Sequence, residues 1–533
     1  MRLLATVGLS ALGVVLLLLG AAGAALVGSD DTVLLADTRA GQGSAYTSPS
    51  LLSVRGVDVV VAARAERGDV LVAAGHPVDV ADVVDGVATL RIDRVRPGAV
   101  VGVDQKGGDL PALDRVEWLG SRSGPGRQML VHPVGDVPPQ VVVASARRAP
   151  VTVEIGFRYP GAFLLCLGVA VVGSLLLVLA WLGRRRHRRR QHRRRQRAGA
   201  GVPVGSGNTA ARARTPLRAA ALALTGALVV AGCAGLPAPV EAGAPLKQAL
   251  RSDQVAAMWA DYDVRNNAAI AAARPPRYDA TGWAEADVGP ALAAEEWSTA
   301  YARAARSRKR STPRATTGTW ASAPLFSTYP MHALSDREVT AVGEKEEKGA
   351  RDQTGVALVQ RDAATQPWRL RAEVTVPTAE LPDLPEVVEP ATPVQRRQAD
   401  LVVEAVDAYL ETGRTPTTLS PGGLRRIARA IAADRKRMKE LDRDGEVRVH
   451  LTDVDDTPTP IWPTGGGAVV VVERHLTFVS SFSHDGWGWK GPWAQVRTDN
   501  GSDLMSSRAV TALVEVPTDG TPRVLGVHVA EVR

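Results

Sequence analysis

This sequence predicts a membrane-anchored multidomain fold: an all-β extracytoplasmic domain, then an α+β C-terminal region of two helix-then-antiparallel-sheet units. Three observations predict it. Two long apolar runs bracket a stretch of alternating valines. An arginine tract without acids follows the second run. Beyond that tract, two helical stretches followed by strand-like pieces occur twice.

The first apolar run, within residues 1–28, is long enough for a bilayer core, which takes about 20 residues. It reads as a retained transmembrane anchor, with a cleaved signal peptide as the alternative, because "AAGAA" (21–25) offers small residues for cleavage. Residues 161–183 form the second run, with Tyr159 and Trp181 at its ends, where amphipathic rings favour the headgroup layer. "RRRHRRRQHRRRQR" (184–197) then reads as the positive-inside stop that keeps this end in the cytoplasm. Residues 184–215 are an Arg-rich cytosolic linker, and residues 29–158 are extracytoplasmic.

Charge follows the same division. The chain carries +8, yet residues 184–218 alone hold thirteen arginines and no acid, so the remainder is net acidic. Basicity confined to one juxtamembrane tract excludes a nucleic-acid partner and suits anionic lipid headgroups. Cys166 and Cys233, the two cysteines, lie in apolar segments, which excludes a disulfide framework.

Residues 216–233 are a lipoprotein-like signal or a third transmembrane segment. Arg212, Arg214 and Arg218 form a positive start, and residues 219–232 an apolar run of signal-peptide length. Val230, Ala231, Gly232 and Cys233 follow, and "VAGC" resembles the bacterial lipobox. That resemblance implies that the Cys233 thiol takes a diacylglyceryl group and becomes a new N-terminus. Under either reading residues 234–533 lie outside.

Within 29–158 the strands read as 54–65, 68–75, 86–95, 98–105, 127–135, 139–146 and 150–159. Their period of two and Gly/Pro punctuation predict a sandwich or barrel with no helix of useful length. His76 and His132 lack ligand spacing.

The region 245–377 predicts helices over 246–273 and 289–310, then strands over 317–330, 337–347, 354–362 and 367–377. A Pro-rich acidic linker, 378–394, separates it from residues 395–533. There the order recurs: a helix over 395–413 ending at Gly413, a second over 420–441 capped by Ser420, then strands over 445–454, 466–481, 493–499, 507–517 and 522–532. The element order is similar to the cone-shaped nuclear-transport-factor-two-like superfamily. "DYDVRNNAAIAAA" (261–273) after a lipobox also resembles a domain of actinobacterial secreted lipoproteins, carried by Tyr262, Asn266, Asn267 and Ala268. The resemblance supplies an address and a fold, a lipoprotein domain behind a two-span membrane protein, and no activity.

No catalytic constellation, cofactor motif or metal-ligand spacing emerges. "DVDDT" (453–457) fits the Asp-x-Asp-x-Thr loop of haloacid-dehalogenase-like phosphatases, but only strands follow, so it reads as an acidic hairpin turn. Trp487 and Trp489 alternate in "SHDGWGWKGPW" (483–493), which places both on one side of a strand. With Trp493 they either close the sheet core or offer a binding face for sugar rings or lipid. The expectation is therefore a non-enzymatic cell-envelope binding or scaffold module, with membrane lipids and envelope proteins or cell-wall glycan as partners. The alternative is an envelope hydrolase or transferase, for which Asp453, His475 and His484 would have to converge.

Overall fold

The computed structural model describes residues 2–52, 58–96, 98–133, 137–198, 245–309, 311–342, 352–414, 416–455, 459–485, 487–497 and 500–532. The chain divides into two compact units, residues 1–110 with 117–245, and residues 111–116 with 246–533. Cys233 and the preceding Val230, Ala231 and Gly232 fall outside the described residues.

The first unit begins with helix α1 (Arg2–Val27), followed by β1 (Thr32–Ala40), β2 (Ser44–Thr47), β3 (Asp58–Gly75), α2 (Pro77–Val84), β4 (Thr89–Arg96), β5 (Ala99–Gln105), β6 (Trp118–Pro133), β7 (Gln140–Ser145), β8 (Val151–Arg158) and α3 (Ala162–Ala198). The strands form one sheet in the order β1-β8-β3-β7-β2-β4-β5, with β6 on the other side of β3. The amide of Gly98, after β4, donates to Leu35 O of β1 at 2.8 Å, so the sheet nearly closes on itself. Alternate residues of the valine runs fill its interior: Val59, Val61 and Ala63 from β3, Val141 and Val143 from β7, Val151, Val153 and Ile155 from β8. This is the period-two burial that the sequence pattern requires.

Three details differ from the sequence reading. Residues 53–57 lie outside the described residues, and 58–65 and 68–75 are not two strands. They belong to one long strand whose register shifts between Arg64 and Asp69, a bulge that lets β3 pair first with β8 and then with β7. β1 and β2 have no valine alternation to announce them. And "PVDVADVV" is helical: Pro77 occupies the first turn and His76 Nδ1 accepts from the Val78 amide, which outweighs the strand-like valines.

α1 and α3 are both long and apolar enough to cross a membrane. They pack on each other through small residues. A Cβ on Gly20 would lie 2.4 Å from Ala170 N, and one on Gly173 2.4 Å from Leu17 N, so the two backbones approach only because these positions are glycine. The outer apolar side chains stay uncovered: Leu18 and Leu19 are each 63% exposed, Leu165 71%. At the sheet end Asp31 joins the helices. Its carboxylate accepts from the Gly161 and Phe163 amides at 2.9 and 2.8 Å, capping α3. Those backbone hydrogen bonds hold its pKa below the ordinary carboxylate value.

The second unit opens with β9 (Lys247–Gln248), α4 (Val255–Ala273), α5 (Trp283–Ala286) and α6 (Gly289–Ala304). Next come β10 (Arg314–Thr317), β11 (Ala321–Phe326), β12 (Met331–Ala341), β13 (Gln353–Arg361), β14 (Arg369–Pro377) and β15 (Val387–Val388). After α7 (Pro393–Thr412) and α8 (Leu424–Leu441) come β16 (Glu446–Asp453), β17 (Ile461–Thr464), β18 (Gly467–Ser481), β19 (Trp487–Gly488), α9 (Trp493–Val496), β20 (Asn500–Gly501), β21 (Asp503–Pro517) and β22 (Arg523–Glu531). Helices followed by sheet thus occur twice. One sheet runs β14-β13-β12-β11-β15, the other β16-β18-β21-β22.

The two halves share a core. On β18 and β21, Val470, Val472, Leu476, Val510 and Ala512 face α7 and α8. The alternate residues Val469, Val471 and Leu513 join Leu334, Val356, Leu358 and Val374 of the other sheet. The segment read as a linker takes part too, since Val387 and Val388 pair in parallel with β11. Gly413 ends α7 in the left-handed region at φ 71°, as its position announces. Ser420 does not cap α8. The helix starts after Gly423 without a side-chain cap, and Ser420 is held by backbone bonds to Pro522 and Val524. Residues 493–496 are a helical turn, because Pro492 enters it in the αR region, so the strand expected over 493–499 is absent there.

Candidate functional site

The most distinctive chemistry lies between α4, α6 and the first sheet. Tyr262 and Arg265 project from the buried face of α4, one turn apart. Asp287 lies two residues before α6, its main chain tied to Trp283 O and bridged to Leu370 of β14. The Tyr262 hydroxyl donates to Asp287 Oδ1 at 3.1 Å. Glu295, one α6 turn and a half further on, adds a second acid, and Arg337 of β12 lies over the rings of Trp259 and Tyr262 at 5.4 and 5.5 Å while paired with Glu373.

Burial dominates the electrostatics. It raises Asp287 to about 7, with Glu295 pushing the same way and the Tyr262 hydrogen bond, Arg337 and Arg265 opposing. Glu295 is raised by burial against the pull of Arg314 and Arg337. Burial and Asp287 push the Tyr262 hydroxyl well above its usual value. A carboxyl that titrates near neutrality can donate or accept a proton at physiological pH. Asn266 Nδ2 is buried on the same helix face without a partner, while Asn267 makes a two-way bond with the Arg314 backbone. Of the resemblance motif, Tyr262 and Asn267 therefore hold different partners, and Asn266 Nδ2 holds none.

A second polar cluster closes the layer between the sheets. His332, Gln360 and Glu473 continue the same alternation as Leu334, Leu358 and Val471, so they point inward although polar. His332 Nε2 pairs with Gln360 Oε1 at 3.0 Å, and Arg371 bonds Gln360 and Glu473. Its Nε donates to Glu473 at 2.7 Å, and its Nη1 to Gln360 at 2.9 Å and Asp455 at 2.8 Å. Burial first, then Arg371, lowers His332 to about 4. Asp455 of the "DVDDT" turn thus serves an arginine, and Asp453 likewise pairs with Arg474 at 2.7 Å. Asp456 and Thr457 lie outside the described residues.

The residues named for hydrolytic chemistry have separate partners. Asp453 faces Arg474. His475 sits opposite Thr452, with Nε2 buried and its pKa lowered by burial. His484 lies against Ser483, Asp442 and the edge of Trp487. Among the described residues no group of three His, Cys, Asp or Glu is placed to hold a metal ion.

The tryptophans divide into two sets. Trp487 stacks flat on Phe482, with centroids 4.2 Å apart. Trp489 and Trp493 turn instead to the buried Arg497, 4.3 and 4.4 Å from its guanidinium, and Trp297 of α6 adds a third ring at 5.2 Å. Arg497 is anchored to Glu531 at 2.9 Å. The expectation that Trp487 and Trp489 share one side fails because β19 is only two residues long. All three rings are half-buried.

Comparison with protein-family models, with curated proteins and with solved structures returned no match. The sequence signal for the site was faint. Asp287 precedes "GPALAAEEW" and looks like an exposed acid at a helix start. Only the close approach of Leu370 and Tyr262 buries it. Chemically, the arrangement offers a near-neutral acid beside a phenol, walled by two arginines.

Proposed function

We propose that the chain is a bilayer-anchored binding module of the bacterial cell envelope. α1 and α3 form its helical hairpin, and residues 29–158 and 234–533 face outward. The carrying observation is the glycine-mediated packing of α1 on α3. It gives α1 a task in the mature protein, which a removed signal peptide would lack. The uncovered leucines around the pair suit hydrocarbon as solvent. Partners are membrane lipids and, through the outer units, envelope proteins or cell-wall glycan. The alternative, hydrolase or transferase chemistry in the second unit, has the near-neutral Asp287 in its favour.

A cysteine pair tests retention of α1. A Cβ on Gly23 would lie 2.8 Å from Cys166 Sγ. In a Cys233→Ser background, Gly23→Cys should oxidise with Cys166, and both thiols should become unreactive to a maleimide. Cys166 still labelled, on a chain shortened at its N-terminus, would refute the hairpin.

Lipidation is tested separately. One acyl chain binds membranes only marginally, whereas the two chains of a diacylglyceryl group hold stably. Cys233→Ser should leave one uncut chain of 56.2 kDa where wild type gives two products. A full-length wild-type band unaffected by globomycin would make residues 219–232 a plain third span.

A further inference from the structure

Helix α8 buries Leu424, Ile427, Ala428, Ile431 and Met438. Its opposite face is strongly basic. Seven of its eighteen residues are Lys or Arg and two are acidic. Arg425, Arg426, Arg429, Lys436, Arg437 and Lys439 are all exposed. At 100° per residue, Arg425, Arg429 and Lys436 fall within one narrow stripe, with Arg426 and Arg437 beside it. The stripe runs along about 18 Å of helix. Among the described residues, Lys436 has Glu440 at 3.9 Å, and no carboxylate lies within ion-pair distance of Arg425, Arg426, Arg429 or Arg437. A basic face of this kind is unusual in a chain that is net acidic outside residues 184–218.

From this geometry we infer that the outer face of α8 docks on anionic phospholipid headgroups of the bilayer that holds α1 and α3. The inference rests on the anchoring reading above. Three features favour a lipid surface over a nucleic acid or an acidic protein. The charges are spread along a flat stripe and not gathered round a pocket. The stripe lacks aromatic rings to stack on bases. It also lacks large apolar side chains, so the contact is electrostatic and superficial, as expected for a surface that meets headgroups without inserting. On the anchoring reading the second unit is tethered to the bilayer at Cys233, and the 11 residues 234–244 keep it within about 35 Å of the surface, since an extended chain spans just over 3 Å per residue.

The test uses the full chain in nanodiscs, of phosphatidylcholine alone or with about one-third phosphatidylglycerol. Reductive methylation of Lys436 and Lys439 is followed by mass spectrometry, with the exposed Lys309 as internal reference. Labelling of the two α8 lysines should slow several-fold in the anionic discs. About 0.5 M NaCl should restore it, because the Debye length then falls below 5 Å. Arg425→Glu with Arg429→Glu reverses two charges on the surface only, and should abolish the slowing while leaving the melting temperature unchanged. Equal labelling in both discs overturns the proposal. So does slowing by soluble polyphosphate in neutral discs with no effect of the anionic lipid, which would make the partner an acidic polymer. A chain that does not enter discs at all overturns the anchoring reading as well.

Discussion

Replacing Arg371 by alanine should destabilise the second unit by about 3–5 kcal/mol, the cost of leaving one member of a buried ion pair alone. Arg371 is 2% exposed and its partner Glu473 8%, and Glu473 already has one oxygen without a hydrogen bond. Without the guanidinium, Glu473 and Gln360 would face an apolar layer between two sheets. Part of the loss should return in Arg371→Ala with Glu473→Gln, because the buried charge is then gone. Arg371→Met with Glu473→Leu should come closest to wild type, since matched apolar pairs often replace buried ion pairs at little cost. Urea unfolding of the four proteins decides it. A single mutant within about 1 kcal/mol of wild type, the range of an exposed pair, would mean that the cluster is solvated and the sheets do not seal there.

Asp287→Asn should reshape the dependence of stability on pH. The folded carboxyl titrates at about 7, against a reference of 3.8. Its pKa is raised, so the folded state binds the extra proton between these values. Stability therefore falls as pH rises from about 4 to 7 and is level above. Asparagine keeps the acceptor for Tyr262 and carries no charge. The mutant should match wild type near pH 4 and exceed it at pH 8, by up to about 4 kcal/mol for a shift of some three units. Glu295, raised by the same burial, adds a slope of the same sign in both proteins. Chemical denaturation at pH 5 and 8 measures the difference. A gap that does not widen with pH would show Asp287 to be ionised and hydrated.

What the sequence made legible is what depends on local pattern. Alternating valines announced β7 and β8, and Gly413 announced the end of α7. The two helix-then-sheet halves were visible in element order. Their shared core was not, because the outward polar face of a strand and an inward face paired across a second sheet have the same spelling. His332, Gln360 and Glu473 are polar letters at alternate positions; Gln360 pairs with His332, and Arg371, more than a hundred residues from Glu473, bonds both Gln360 and Glu473. The site suffered likewise. Asp287 acquires its chemistry from burial against Tyr262 and Leu370, which no spacing reveals. In "GWGWKGPW" the period of two was present, but a two-residue strand cannot sustain it, and Arg497 drew Trp489 away from Trp487.

The pairing of β1 with β8 has a consequence for assembly. The two strands are in register from Thr32 opposite Arg158 to Ala40 opposite Val151, so the chain enters and leaves the sheet side by side. α1 and α3 are therefore delivered to each other as if at a local concentration on the order of millimolar or more. Helices held this way need little affinity of their own, and shallow glycine contacts suffice. Folding of the β domain and pairing of α1 with α3 become one cooperative event. Loss of the sheet would release two apolar helices free to seek other neighbours.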